Sequence, residues 1–132
     1  MGLRLLGLLL ATAVVGVPQS RPSPVMEVFR GMAEALANRD AEAFFDQLDP
    51  RMPEYQTLHG EIQELVAVTK EIGSTIDAIS DEGDDQKRTL ELDWLLKIDT
   101  EDPRRQTVKC QVEKQGRKWK ITKLEPVKFF RR

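Results

Sequence analysis

The chain has 132 residues, with 22 acidic and 20 basic residues, one cysteine, and a net charge of −2 at pH 7. This length supports one domain with a hydrophobic core and is too short for two. A single cysteine excludes an intramolecular disulfide, and the negative net charge argues against nucleic-acid binding.

The N-terminal stretch has the layout of a secretory signal peptide. Residues 1–4 form a short basic start, residues 5–17 are almost wholly apolar, and residues 18–24 are polar and proline-rich. The apolar stretch is shorter than the roughly 20 residues of a membrane-spanning helix. We therefore expect residues 1–20 to be a signal peptide and leader, and residues 21–132 to be an exported domain, periplasmic or extracellular, without stable membrane insertion. An uncleaved membrane anchor is the alternative.

Two helices are predicted at the start of the domain. Ser23 is a capping hydroxyl, and Pro24 follows it at the first helical position. Apolar residues then recur at spacings of three and four on one helix face, namely Val25, Val28, Phe29, Met32 and Leu36. Asp40 is a good cap for a second, shorter helix that Asp49 and Pro50 stop. The apolar residues of this second helix are Phe44, Phe45 and Leu48.

A third helix and a first strand come next. The helix is predicted to open at Pro53, and its apolar face carries Tyr55, Leu58, Ile62 and Leu65. The β-branched residues of 71–80 favour a strand, because such side chains pack well on a pleated surface. The acidic residues 81–85, around Gly83, indicate an exposed turn.

A period-two alternation marks the second strand. Its apolar residues are Leu90, Leu92, Trp94, Leu96 and Ile98. This pattern predicts a strand with one buried face. After a turn at residues 99–103, Trp94 and Cys110 should face the same side of the sheet, and we expect Asp93 opposite Lys109.

Residues 108–130 are predicted to contain a hairpin. A two-residue turn at Gln115 and Gly116 would place Lys114 opposite Arg117, because glycine adopts a positive φ easily. Counting outward pairs Val112 with Trp119 and Cys110 with Ile121, so that one face is apolar and the other charged. The element order is then three helices and a four-stranded antiparallel meander, an α+β fold with helices on one face of a curved sheet.

Three motifs carry a family resemblance: ALANRDAEAFFDQLDP at residues 35–50, GRKWKI at 116–121 and LEPVKFF at 124–130. With the element order, they resemble the nuclear transport factor 2-like superfamily, known also from ketosteroid isomerase, scytalone dehydratase and polyketide cyclases. The resemblance implies a cone-shaped, cystatin-like domain. It does not imply one activity, because this superfamily includes enzymes, ligand binders and interaction modules.

The resemblance also implies a pocket between the helices and the concave, apolar face of the sheet. The side chains expected to point into this pocket are Phe29, Phe45, Tyr55, Leu58, Trp94, Cys110 and Trp119. The leading interpretation is an exported, non-enzymatic domain that binds a small hydrophobic ligand or serves as an interaction surface.

An enzyme of the isomerase, dehydratase or cyclase type is the first alternative. Ketosteroid isomerase uses an aspartate base, a tyrosine and a protonated aspartic acid, and this chain does not reproduce that set. His59 is the candidate general base, with Tyr55 beside it and Asp49 or Asp46 as the orienting carboxylate. We expect no cofactor and no metal, because a lone histidine lacks a second nitrogen ligand at metal-binding spacing.

Binding to anionic envelope surfaces is the second alternative. Acidic residues concentrate before Pro103, and lysines and arginines after it. The candidate cations are Arg117, Lys118, Lys120, Lys128, Arg131 and Arg132. Nucleic acid is not an expected partner, because the lysines alternate with core residues. The charged outer face of the sheet predicts a monomer or a weak homodimer.

Overall fold

The computed structural model describes residues 23–132, and the predicted signal peptide and leader at residues 1–20 lie outside them. The three helices are α1 (Pro24–Ala37), α2 (Ala41–Phe45) and α3 (Tyr55–Val68). The four strands are β1 (Ile72–Gly83), β2 (Lys87–Ile98), β3 (Arg104–Gln115) and β4 (Lys118–Glu125), and a 3-10 helix, Val127–Phe130, follows. The predicted α+β class and element order are confirmed.

Helix α1 begins as its sequence predicts. The Ser23 hydroxyl accepts a hydrogen bond from the Met26 amide at 3.0 Å, and Pro24 occupies the first turn. The predicted apolar positions are buried, and Ala35 joins them. Asp40 caps α2 by accepting from the Ala43 amide at 3.1 Å.

The second and third helices are shorter than predicted. Helix α2 ends at Phe45, so Leu48 lies beyond it, after a turn, in an isolated bridge with Ile121. Helix α3 begins at Tyr55 and not at Pro53, because Glu54 adopts a left-handed φ of 61° that separates the turn from the helix. Leu58, Ile62 and Leu65 are buried as expected.

The sheet is an antiparallel meander in the order β1-β2-β3-β4. Along β2 the alternating residues Leu90, Leu92, Trp94, Leu96 and Ile98 are all buried. Strand β1 runs on to Gly83, so the first turn is shorter than the predicted 81–85 and centres on residues 84–86. The Asp84 carboxylate organises this turn by accepting from the amides of Gln86 and Lys87.

The predicted register of the β3–β4 hairpin is wrong by one step along each strand. The turn residues are Gly116 and Arg117, and Gln115 pairs with Lys118. The pairs are therefore Lys114 with Trp119, Val112 with Ile121 and, beyond a bulge, Cys110 with Leu124. Of the two turn residues, only Gly116 has a positive φ, of 68°, so the turn follows the pattern with glycine at its first central position.

The predicted β2–β3 register is also wrong by one step on each strand. Asp93 lies opposite Thr107 and not Lys109, because β3 begins at Arg104, directly after the 99–103 turn. A shift of one step on both strands keeps every side chain on its face. Trp94 and Cys110 therefore face the same, buried side, as predicted.

An aromatic cluster fills the space between the sheet and the helices. Trp94 is 0% exposed and makes edge-to-face contacts with Phe129 and Phe130, with ring centroids 6.2 and 5.1 Å away. Phe130 also contacts Phe44 at 5.8 Å. The 3-10 helix thus places two rings against the concave face of the sheet. Each such ring–ring contact stabilises the fold by about 0.5–1.5 kcal/mol beyond the contribution of the buried apolar area.

The two edges of the sheet differ. At β4, residues 47–49 run alongside the strand, with the Asp49 amide donating to the Ile121 carbonyl and the Ile121 amide to the Gln47 carbonyl, both at 2.9 Å. At β1, no segment within residues 23–132 pairs with the outer edge. The described part of the chain has no helix long and apolar enough to cross a membrane.

Candidate functional site

The seven predicted pocket residues are spread over several places. Leu58, Trp94 and Cys110 are packed in the core, at most 2% exposed. Phe29 lies at the base of a groove beside β1. Phe45 and Tyr55 line a cleft near His59, whereas Trp119 lines a different cleft near the start of α1.

The α1–β1 groove separates the first helix from the edge strand. Its volume is about 500 Å³, and it is lined by Met26, Glu27, Phe29, Arg30, Ala33, Ser74, Thr75 and Ile76. This volume is within the roughly 300–1,000 Å³ of small-ligand sites. Most of the side-chain surface in the groove is apolar. The groove therefore gives an apolar ligand more apolar contact surface than any other described cleft does.

Three of the four polar side chains that line the groove, Glu27, Arg30 and Ser74, already have partners. The Ser74 hydroxyl accepts a hydrogen bond from the Trp94 indole nitrogen at 2.8 Å. Arg30 makes ion pairs with Glu27 and Glu34 along the solvent-facing side of α1. The base of the groove therefore stays apolar. On α1, at the edge of the groove, two carboxylates face one guanidinium, so the local net charge is −1.

The groove was not predicted from the sequence. Its walls come from residues 26–33 and 74–76, which are far apart in the chain. A partial signal exists, because Met26 and Ile76 are apolar yet only partly buried. Such residues at the border of a core stripe are also common in proteins without a ligand.

The His59 cleft brings together the three candidate catalytic residues, His59, Tyr55 and Asp49. It has a volume of about 340 Å³ and lies between α2, α3 and the tip of the β3–β4 hairpin. The His59 ring stacks on Phe45, with centroids 4.0 Å apart and an interplanar angle of 18°. Tyr55 lies one turn earlier on α3, with ring centroids 5.7 Å apart.

Asp49 is committed to other partners. Its carboxylate accepts hydrogen bonds from the Arg51 amide at 2.9 Å, from the Arg51 guanidinium at 2.9 Å and from Gln115 Nε2 at 2.8 Å. The hydrogen bonds from Arg51 hold the pKa of this carboxyl well below its ordinary value, and Gln115 contributes less. Within residues 23–132, His59 makes no hydrogen bond to Asp49 or Asp46, so the carboxylate expected to orient it does not do so.

The Trp119 cleft is polar and has a volume of about 650 Å³. Trp119 and three cations, Arg117, Lys118 and Lys120, line its hairpin side, and Glu27 and Asp46 line the opposite side. Arg117 and Lys118 form no ion pair with the described residues. By contrast, Arg131 pairs with Glu61, and Arg132 pairs with Asp99 and Glu101.

Cys110 is 2% exposed, and burial raises the pKa of its thiol. A thiol with a raised pKa is a poor nucleophile, because the thiolate is the reactive form. The described residues contain no group of three or more His, Cys, Asp or Glu side chains that could hold a metal ion.

Comparison of the sequence with known proteins gives no assignment. No protein-family model matches the chain. No curated protein matches it either.

Comparison of the fold with solved structures gives clear matches. A Bdellovibrio bacteriovorus protein, Bd1075, matches with a TM-score of 0.68 and 13% identity, over 76% of this chain and 38% of that one. An NTF-2 like protein of unknown function from Shewanella oneidensis MR-1 matches with a TM-score of 0.64 and 14% identity, over 81% of this chain and 96% of that one. A Nostoc punctiforme protein of unknown function with a cystatin-like fold matches with a TM-score of 0.60 and 18% identity, over 76% of this chain and 85% of that one.

The chain therefore has the nuclear transport factor 2-like, or cystatin-like, fold that its motifs resemble. At these identities the matches establish the fold and carry no activity, because this fold supports many unrelated functions.

Proposed function

We propose that this chain is a non-enzymatic binding domain that takes an apolar ligand or partner group in the α1–β1 groove. The observation that carries the proposal is the groove itself, with a mostly apolar surface and a volume of about 500 Å³. Transfer of apolar surface from water into such a site is favourable by roughly 25 cal/mol per Å².

The packed interior of the domain supports this location. In a cone-shaped fold the concave face of the sheet is a natural ligand site, but here Trp94, Phe129 and Phe130 occupy that space. The protein's own rings are fully or almost fully buried there. A ligand has room beside the cone, between α1 and β1, without displacing any aromatic ring.

The state of the candidate catalytic groups favours binding over catalysis. Asp49 is held as a carboxylate by Arg51 and Gln115, so it is a weak base at neutral pH. His59 stacks on Phe45 and has no orienting carboxylate within the described residues. A base without an orienting partner lacks a feature that general-base catalysis commonly uses.

The test is a titration of the full chain with N-phenyl-1-naphthylamine, a neutral apolar dye that the cations of the Trp119 cleft do not attract. We expect a fluorescence increase on binding and a rise in Tm with dye concentration. Ala33→Gln should weaken dye binding about tenfold, because a long polar side chain fills the groove. A tenfold change in Kd corresponds to a loss of about 1.4 kcal/mol in binding free energy.

The matched control is Ala37→Gln, which makes the same change one turn later on α1, outside the groove. It should bind the dye as the native chain does. Equal dye binding by Ala33→Gln and the native chain, or no binding by either, would refute the proposal.

Binding of anionic surfaces is a second candidate function, and the Trp119 cleft favours it. Arg117 and Lys118 lie beside the partly buried Trp119 ring, without ion-pair partners in the described part of the chain. Arg117→Glu should weaken binding to phosphatidylglycerol vesicles at low salt by roughly thirtyfold, at about 1 kcal/mol per charge, and Lys70→Glu, the same charge change at a remote loop, should weaken it only slightly. Binding that does not fall with added salt would rule this candidate out.

A further inference from the structure

We propose that the outer edge of β1 binds an extended peptide segment as an added strand, with apolar side chains of the peptide in the α1–β1 groove and basic residues at its flank. The inference rests on the proposed function, because the same groove supplies the apolar contacts. It adds the chemical class of the partner and the backbone geometry of its binding.

The first support is the unpaired edge. Strand β1 is 12 residues long and hydrogen-bonds only to β2 within residues 23–132. On an edge strand of an antiparallel sheet, alternate amide and carbonyl groups point outward with no strand partner. An added peptide strand satisfies these groups with main-chain hydrogen bonds, as in other cases of strand addition.

The second support is the uneven protection of this edge. Proteins protect edge strands with bulges, prolines and charged residues. In β1 these features begin at residue 77: the acids Asp77, Asp81 and Glu82 occur there, and the register shifts between Ala78 and Ser80. Residues 72–76 contain no charge, proline or bulge, and three of them, Ser74, Thr75 and Ile76, line the groove.

The third support is the position of the groove relative to the strand. Ser74 and Ile76 pair with the buried residues Leu96 and Trp94, so they face the helix side of the sheet. An added strand would lie about 4.8 Å farther out, with every second side chain on that same side. Those side chains would meet Met26 and Ala33 of α1.

The fourth support is charge, and it also disfavours the pairing of two copies in the register centred on Ser74. All charged residues of β1 before the turn are acidic, and Glu71 precedes the strand. Antiparallel pairing of two copies centred on Ser74 would place Asp77 of each opposite Glu71 of the other, and like charges in that position repel. A peptide with Lys or Arg beside its apolar residues has the complementary charge.

The experiment begins with selection from a phage-displayed library of random linear peptides of about seven residues, a length within the usual range of about 3–10 residues for a strand. The full chain is the target, and the Ala33→Gln variant is used for counter-selection. We expect enriched peptides to alternate apolar residues and to carry Lys or Arg at one end. Enrichment of acidic peptides, or no enrichment over the counter-selected background, would overturn the proposal.

A synthetic peptide with the enriched sequence is then titrated against variants. Asp77→Lys should weaken peptide binding about fivefold, because the charge partner of the basic flank is reversed. Its matched control, Asp102→Lys in an exposed loop, should leave the affinity within twofold. Asp77→Lys should bind N-phenyl-1-naphthylamine as the native chain does, since the dye has no charge.

Residue-resolved amide exchange locates the bound peptide. Added-strand binding predicts slower exchange at alternate amides of residues 72–76, with no change at the β3–β4 hairpin. Protection confined to α1 or to the Trp119 cleft would contradict strand addition. Dye binding without any peptide binding would leave the proposed function intact and refute this inference, whereas loss of both would refute both.

Discussion

The two edges of the sheet show how one fold can be closed on one side and open on the other. At β4, residues 47–49 form two backbone hydrogen bonds with Ile121, and Leu48 is buried beneath them. At β1, the described residues provide no such cover, and Ile79 is 56% exposed. The difference predicts that the β4 edge contributes more to stability, and it leaves the β1 edge as the proposed binding edge.

The anchor of the closed edge is Asp49. Its carboxylate connects the segment beside β4 to the hairpin tip through Gln115 and is neutralised by Arg51. A buried carboxylate with this many donors is held in one position. No comparable polar contact holds any described segment against the outer edge of β1.

The largest expected effect is at the buried residue of the closed edge. Leu48→Ala should lower the free energy of unfolding by about 2–5 kcal/mol, because it leaves a cavity in the packed core. The control at the open edge, Ile79→Ala, should cost less than about 1 kcal/mol. Urea denaturation of both variants measures the contrast, and equal losses would contradict it.

The next effect is electrostatic and depends on pH. Asp49→Asn should cost about 1.5–3 kcal/mol at pH 7, because hydrogen bonds to a charged group are replaced by weaker or mismatched ones. The folded pKa of Asp49 lies below its unfolded value, so its stabilisation is present above about pH 3.9 and is lost as pH falls toward the folded pKa.

The measurement is the difference in unfolding free energy between the native chain and Asp49→Asn, followed downward from pH 7. This difference should shrink as the pH falls below about 4. Asp46→Asn, an exposed carboxylate in the same segment, is the control and should stay within about 0.5 kcal/mol of the native chain. A difference that grows with acidification would show that Asp49 has a raised folded pKa.

A smaller effect is expected where β1 is held from its inner side. Ser74→Ala should cost about 1–2 kcal/mol, because it removes the acceptor of the buried Trp94 indole N–H. Ser80→Ala, at the bulge of the same strand, should change stability by less than about 0.5 kcal/mol. Thermal unfolding of the two variants tests this, and an Ser80→Ala loss as large as that of Ser74→Ala would count against it.

The parts of the fold that depend on local patterns were predictable from the sequence. Ser23 and the apolar spacing after it predict α1, and the alternation around Trp94 predicts the buried face of β2. Apolar patterning also gave β2 and β3 the correct inward face, but it did not define one for β1, where Ile79 is 56% exposed. It could not give the exact pairing, because a shift of one step on both strands preserves every face, and only the turn at Gly116 and Arg117 decides between the alternatives.

The candidate site was less predictable, because it depends on contacts between distant parts of the chain. The sequence suggested Asp49 as a helix stop, but its partner Gln115 is 66 residues away. The groove likewise needs Met26 and Ile76 to come together at a sheet edge that no segment of residues 23–132 pairs with. No local sequence pattern predicts which edge of the sheet will pair with another segment of the chain.

Amide hydrogen exchange of the full chain, without ligand, tests the contrast between the two edges most directly. The amides of Asp49 and Ile121 are bonded across the closed edge and should exchange slowly. Alternate amides of residues 72–76, which point outward from β1, should exchange on the order of a hundredfold faster. Slow exchange at every amide of residues 72–76 would show that the β1 edge is already covered, and would contradict the account.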